Sequence, residues 1–202
     1  MTKTVFDEII GNPILGQAGA FHPIIRDFKK QDIIMQTSDD INMIGIIMSG
    51  TAYLATINLD FQKRILDYYE VNTIFYNRTI SVLEGNSYHI YAGTKCTVAF
   101  FDYREIKEDQ MVKLQEQLLL DYGKRSLVHI DILSQRSLRN KLISFFDYCS
   151  KQKASLNFVL PMSLSELADY LAVDRSAMMR EVGKMKEEGI LQSAGRNITV
   201  LK

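Results

Sequence analysis

The chain has 202 residues, and 24 Lys and Arg balance 24 Asp and Glu, so its formal net charge is zero. Hydrophobic residues make up 47% of it, which suffices for ordinary cores in one large domain or two small ones. No run of about 18 apolar residues occurs, and acids interrupt the N-terminal stretch where a signal peptide would be apolar, so we expect a cytoplasmic protein without a transmembrane helix.

Residues 32–103 contain six short β-prone runs separated by turn residues. Regular spacing of such runs is typical of an antiparallel sandwich or barrel. Ser49-Gly50, between two alternating runs, predicts a tight β-hairpin. Residues 5–28 mix short helical signals with Gly and Pro and predict no particular element. The six runs are 33–35, 43–48, 51–57, 64–69, 87–92 and 97–103.

Residues 104–135 predict one long helix. They contain no Pro and a single Gly, and apolar residues recur at helical spacing with charges between them. Such a length is unusual in a small globular domain. The apolar stripe therefore favours pairing with a second copy of the chain over packing on its own barrel alone. The apolar positions are Met111, Leu114, Leu118, Leu119, Tyr122, Val128 and Ile132.

The next stretch, 137–151, predicts a second helix, because Leu142 and Phe145 fall on one face. A short strand at 158–160 follows, and Pro161 ends it.

Two short helices and a hairpin then complete the chain. Ser163 with Glu166 three residues on is a capping box, which starts the first helix. The turn 172–174 follows, and Asp174 suits the N-cap of the second helix. Gly189 stops that helix, and apolar residues on either side of a turn around Gly195 predict a β-hairpin. Helix, tight turn, helix and hairpin are the order of a winged helix-turn-helix.

The second of these helices presents polar side chains opposite its buried face. In a helix-turn-helix, the N-terminal residues of the second helix enter the DNA major groove. Arg bonds guanine bidentately, Ser contacts base edges or phosphates, and further basic residues suit phosphates. The alternative is a solvated polar surface on a small helical domain. The candidate DNA-binding residues are Ser163, Arg175, Ser176, Met179, Arg180, Lys184 and Arg196.

The charge distribution agrees with an anionic partner. Residues 136–202 carry 11 Lys and Arg against 7 Asp and Glu, a net charge of +4. Residues 1–135 carry 13 against 17, a net charge of −4. The basic C-terminal third therefore indicates that an anion binds there.

The stretch 163–200 resembles the C-terminal winged helix of the Crp/Fnr family of bacterial transcription regulators, and the β-rich region and long helix before it match that family in order and length. The resemblance implies an α+β fold with three parts. These are an N-terminal antiparallel β-roll (cupin-like, a double-stranded β-helix) at 1–103, a long dimerisation helix at 104–135, and a winged helix-turn-helix DNA-binding domain at 136–202.

The same resemblance implies a function and partners. Arg175, Ser176 and Arg180 occupy the positions that read bases in the family. The expected protein is a homodimer on double-stranded DNA with an inverted-repeat site, and RNA polymerase is a candidate partner. The alternative is a small-molecule-sensing module that acts through a protein partner rather than DNA.

The effector site departs from the family's cyclic-nucleotide members, which hold the cyclic phosphate with a Gly-Glu pair and an Arg-Ser or Arg-Thr pair. Here Phe75-Tyr76 and Asn86-Ser87 take those places, so we expect weak or no binding of cyclic AMP or cyclic GMP. Two alternatives stay open: a pocket for another planar or anionic small molecule, or aromatic side chains that fill the cavity. The candidate pocket residues are Phe75, Tyr76, Asn77, Arg78, Asn86, Ser87 and Tyr88.

No cofactor or metal is expected. The family's iron–sulfur sensors need about four cysteines, three of them near the N-terminus. This chain has only Cys96 and Cys149, whose apolar surroundings favour buried reduced thiols over a redox switch. His22, His89 and His129 are isolated, which disfavours haem, a cupin-type metal site and an enzymatic barrel.

Overall fold

The structure is a computed structural model, and it describes residues 23–36, 42–57, 63–76, 88–106 and 108–201. The chain separates into two compact units. One contains Met1–Ile57 and Tyr68–Lys124, and the other contains Asn58–Asp67 and Arg125–Lys202.

Short strands make up most of the N-terminal part. They are β1 (Ile24–Phe28), β2 (Ile33–Gln36), β3 (Met43–Ser49), β4 (Ala52–Ile57), β5 (Lys63–Tyr69), β6 (Ile74–Tyr76), β7 (Tyr88–Ala92) and β8 (Cys96–Asp102). One sheet has the order β1-β8-β3-β6 and the other the order β2-β7-β4-β5. Strand β8 pairs antiparallel with β1 and β3, and β7 pairs antiparallel with β2 and β4. The predicted α+β fold with antiparallel sheets is confirmed.

The core between the sheets follows from the period of two along each strand. In β7, Tyr88, Ile90 and Ala92 are buried, and the residues between them are half-buried. They join one hydrophobic cluster with Leu54 of the same sheet and Phe100 of the other. Strands β1 and β6, which the sequence did not predict, lie at the two edges of one sheet.

The predicted hairpin at Ser49-Gly50 is wrong. Strand β3 pairs with β6 and β8, whereas β4 pairs with β7 in the other sheet. Gly50 does turn the chain, with φ of +80°, but at a corner between sheets. A Cβ there would lie 2.1 Å from the backbone oxygen of Lys95, so this close approach requires glycine.

Four α-helices and a small sheet follow a 3₁₀ turn at Tyr103–Glu105. The helices are α1 (Glu108–Ser134), α2 (Leu138–Lys153), α3 (Leu164–Tyr170) and α4 (Arg175–Glu187). Strands β9 (Asn157–Val159), β10 (Leu191–Ala194) and β11 (Asn197–Val200) form an antiparallel sheet in the order β10-β11-β9. Among the helices described, none combines the length and apolar character that crossing a membrane requires.

Helix α1 has apolar residues on two faces. Met111, Leu114 and Ile132 of the predicted stripe are buried within the chain itself. A second set is exposed, with solvent-exposed fractions from 57% to 70%. Its members recur at steps that keep them near one side of a helix. They are Val112, Leu119, Leu120, Leu127 and Ile130.

Candidate nucleic-acid interface

The N-terminus of α3 has the predicted capping box. The Glu166 backbone N–H donates to Ser163 Oγ at 3.3 Å, and the Ser163 backbone N–H donates to Glu166 Oε2 at 2.8 Å. The Ser163 hydroxyl also donates to Glu166 Oε2, at 2.7 Å. A phosphate contact by the Ser163 side chain therefore has to replace this last bond.

The turn between α3 and α4 is tight. The Val173 N–H donates to the Ala168 carbonyl at 3.0 Å, and Ala172 has φ of +52°, in the left-handed region. Asp174 then caps α4, because its Oδ1 accepts the Ala177 N–H at 2.7 Å. This cap is the one expected from the sequence, and it fixes where α4 begins.

The buried face of α4 sets the rotation of the helix. Met178, Val182 and Met185 are buried, with at most 3% of each exposed. These positions recur at helical spacing, so α4 packs as an amphipathic helix against the interior of its unit. Its other face consequently points to solvent.

The exposed face of α4 carries most of the candidate DNA-binding residues. Arg175, Ser176, Met179, Arg180 and Lys184 are all exposed. In the described part of the chain, no hydrogen bond or ion pair occupies the guanidinium of Arg175 or Arg180. Both therefore keep their donors available to a partner.

The β10–β11 hairpin contains the last candidate, Arg196. Ala194 pairs with Asn197, so the turn consists of Gly195 and Arg196. Gly195 has φ of +60°, and Arg196 is half-buried with its carbonyl accepting the Leu160 N–H at 2.8 Å. The predicted hairpin around Gly195 is confirmed.

Arg139 of α2 binds the recognition helix α4 at two points, a feature that the sequence analysis missed. Its Nε donates to Glu181 at 2.5 Å, and its two terminal nitrogens donate to Glu188 at 2.7 and 2.8 Å. The hydrogen bonds from Arg139 hold the pKa of the Glu188 carboxyl below its ordinary value. Arg139 thus fixes the C-terminal half of α4 to the start of α2.

We expect Arg139→Gln to lower the melting temperature at neutral pH. Because the folded pKa of Glu188 is lowered, its contribution is present above the ordinary Glu pKa of about 4.3 and is lost as the pH falls through the folded value. The difference between wild type and variant should therefore shrink below about pH 4, which thermal unfolding at several pH values measures. Arg136→Gln is the matched control, since Arg136 is exposed and has no ion pair with a described residue. An equal effect of both substitutions at all pH values would contradict the assignment.

The candidate effector residues that the structure describes are core side chains. Phe75, Tyr76 and Tyr88 are at most 9% exposed. The Phe75 ring stacks on Tyr69, with 5.8 Å between ring centroids. Gly45 makes room for it, since a Cβ there would lie 2.2 Å from Phe75 Cζ. These contacts favour the filled cavity over an open pocket at these positions. Asn77, Arg78, Asn86 and Ser87 lie outside the described residues.

The cysteines are buried thiols. Cys96 is fully buried, and burial raises its pKa to about 11, so it carries little reactive thiolate near neutral pH. Cys149 is 4% exposed. Within the described ranges, no group of three or more His, Cys, Asp or Glu side chains is placed to hold a metal ion. The expected lack of a cofactor stays a prediction, and His22 lies outside the described residues.

Comparison with known proteins agrees with this geometry. Residues 138–202 match the Crp-like helix-turn-helix domain. The chain is 28% identical over 119 residues to the nitrogen fixation regulation protein FixK of Rhizobium meliloti, covering 58% of this chain and 56% of FixK. It is 22% identical over 185 residues to the anaerobic regulatory protein of Haemophilus influenzae, covering 87% of this chain and 72% of that protein.

The fold is also found in solved structures. FixK2 from Bradyrhizobium japonicum superposes with a TM-score of 0.73 at 16% identity, covering 90% of this chain and 93% of FixK2. Both named relatives are regulators, and the domain that matches is the one whose exposed helix was built above. The chain belongs to the Crp/Fnr family of transcription regulators.

Proposed function

We propose that the protein is a homodimeric, sequence-specific DNA-binding regulator that acts in the cytoplasm on double-stranded DNA with an inverted-repeat site. One observation carries the proposal. Arg175 and Arg180 project from the exposed face of α4 without intramolecular hydrogen bonds to described residues, while the opposite face is buried. A helix in this setting presents its N-terminal half to a major groove.

Each exposed side chain suits a particular part of the duplex. Arg175 and Arg180 match the O6 and N7 acceptors of guanine, and Met179 suits apolar contact with a thymine methyl group. Ser176 bonds base edges or phosphate. Lys184, one turn further along α4, and Arg196 in the wing suit backbone phosphates, which fix register without reading sequence. Ser163 at the start of α3 is a further phosphate candidate.

The exposed apolar face of α1 supports the homodimer. Val112, Leu119, Leu127 and Ile130 lie along 19 residues of one helix and are each more than half exposed. A contiguous apolar surface of this kind is typical of a protein interface. Two copies that pair along it acquire a two-fold axis, and an inverted repeat with half-sites about 34 Å apart is the DNA counterpart of that symmetry.

The regulatory input is proposed to be something other than a cyclic nucleotide. Phe75 occupies the interior between the sheets, stacked on Tyr69 and 6.4 Å from the Phe100 ring centroid, which leaves the aromatic rings in van der Waals contact with one another. No resident cofactor is proposed. RNA polymerase is a candidate partner at promoters that the protein controls.

Replacement of Arg180 by Ala tests the base-reading role. We expect a loss of about 1–3 kcal/mol in binding free energy on the preferred site, with a smaller loss on random DNA, because a bidentate base contact is removed. Fluorescence anisotropy on both duplexes over a range of salt concentrations measures this. Arg136→Ala serves as the control, as it removes an exposed Arg from outside α4. If Arg180→Ala binds every sequence as well as wild type does, the assignment is wrong.

A further inference from the structure

Two basic residues of strand β5 lie beside the helix-turn-helix. Lys63 and Arg64 line a cleft of about 560 Å³ together with residues of the α3–α4 turn and the first residue of α4, Arg175. The segment Asn58–Asp67 belongs to the same compact unit as the helix-turn-helix. These two cations are thus neighbours of the proposed DNA-reading surface, although they lie about 110 residues before it in the sequence.

Buried polar contacts attach this end of β5 to α1. Arg125 Nε donates to Asp67 Oδ2 at 2.8 Å, and the Asp67 side chain is only 7% exposed. A buried carboxylate with a charged partner is costly to separate, since the unpaired charge would be left in a poorly solvated site. This ion pair therefore holds the first residues of β5 in place.

His129 of α1 extends the attachment to α3. Its Nδ1 lies 3.1 Å from the Leu66 carbonyl oxygen and its Nε2 lies 2.8 Å from the Tyr170 carbonyl oxygen. The imidazole also stacks on the Tyr170 ring at a centroid distance of 3.8 Å. Strand β5, helix α1 and the last residue of α3 consequently meet at one side chain, which keeps Lys63 and Arg64 next to the turn that follows α3.

The cleft has more positive than negative groups. Lys63, Arg64 and Arg175 supply three cations, and Asp169 and Asp174 supply two carboxylates. The Asp174 carboxylate is occupied in capping α4. Asp169 is half-buried, and burial raises its pKa above the ordinary value although the three cations oppose that shift. An anion that enters the cleft therefore meets a net positive wall.

We propose that Lys63 and Arg64 bind backbone phosphates of DNA beside the major groove that α4 enters. This inference rests on the proposed function and deepens it. Because Arg175 forms part of the cleft wall, a duplex that it contacts brings its sugar–phosphate edge towards the opposite wall. Phosphate contacts are sequence-independent, and each one releases condensed counterions, so these residues add affinity and salt dependence without base preference.

The test uses the full-length chain with Lys63→Gln and Arg64→Gln, singly and together. Binding to the preferred duplex and to random duplex is measured between about 50 and 200 mM salt. We expect the slope of log affinity against log salt to become shallower by about 1 for each residue replaced. Affinity at about 0.1 M salt should fall by roughly tenfold per lost contact on both duplexes, with the ratio between them unchanged.

A matched control removes two cations elsewhere. Lys29→Gln with Lys95→Gln makes the same change in net charge at exposed positions of the other compact unit. Its salt slope should equal that of wild type. The charge-conserving pair Lys63→Arg with Arg64→Lys should keep the wild-type slope, and melting temperatures of all variants report on folding.

Three results would overturn the inference. These are an unchanged slope in the glutamine variants, an equal loss in the Lys29 and Lys95 control, or a change in base preference, which would indicate base contacts. If Arg180→Ala lowers base preference while the Lys63 and Arg64 variants keep the wild-type slope, only this inference fails. If Arg180→Ala also has no effect, the proposed DNA interface fails with it.

Discussion

Glutamate at both Leu119 and Leu127 is expected to convert the dimer into monomers. These side chains are 70% and 68% exposed on α1, so the free chain tolerates the substitution, whereas a paired helix would bury four additional carboxylates. Loss of pairing makes each half-site an independent event. Affinity for the full inverted repeat should then fall by about 10²–10⁴-fold, the usual gain from linking two binding modules.

Sedimentation velocity and DNA binding measure this result together. Leu156→Glu is the control, because Leu156 is 61% exposed but lies after α2, away from α1 in the sequence. The double variant should keep the wild-type affinity for a single half-site. A dimer that persists in the double variant at micromolar concentration would show that α1 is not the interface.

Phe145→Ala is expected to lower the free energy of unfolding by about 3–5 kcal/mol, the usual cost of emptying a large buried site. Phe145 is fully buried, and its ring centroid lies 5.6 Å from that of Tyr170 and 6.1 Å from that of Phe146. The ring therefore supports α3 from α2. Specific DNA binding should be lost at temperatures where wild type binds, because the position of α4 depends on this core.

Chemical denaturation followed by circular dichroism measures the change. Ile143→Ala, two residues away on the same helix, is the control, since Ile143 is 43% exposed. Its effect should stay below that of Phe145→Ala by at least about 2 kcal/mol, because much of its surface is already hydrated. Equal effects would mean that the ring does not support the fold.

The winged helix-turn-helix was predictable because its signals are local. Ser163 and Glu166 are three residues apart, and Asp174 caps the helix that begins at the next residue. Met178 and Val182 fall on one face through helical spacing alone. Each signal depends on residues within one or two turns, so no knowledge of the tertiary structure is needed to detect it.

The features that the sequence did not reveal depend on distant partners. A turn at Ser49-Gly50 is visible in the sequence, but whether the next strand pairs back or crosses to another sheet depends on β7. Arg139 meets Glu181 and Glu188 across 42 and 49 residues of chain. Lys63 approaches the α3–α4 turn only through the fold. Nothing in the local pattern distinguishes these residues from other surface charges.

The close contact between Gly45 and Phe75 constrains how this protein can evolve. Any side chain at position 45 would overlap the aromatic ring, whose neighbours Tyr69 and Phe100 leave it no room to move aside. A lineage that keeps the ring must therefore keep the glycine. Descendants that regain an open interior have to lose the bulk at position 75 before position 45 is free to vary.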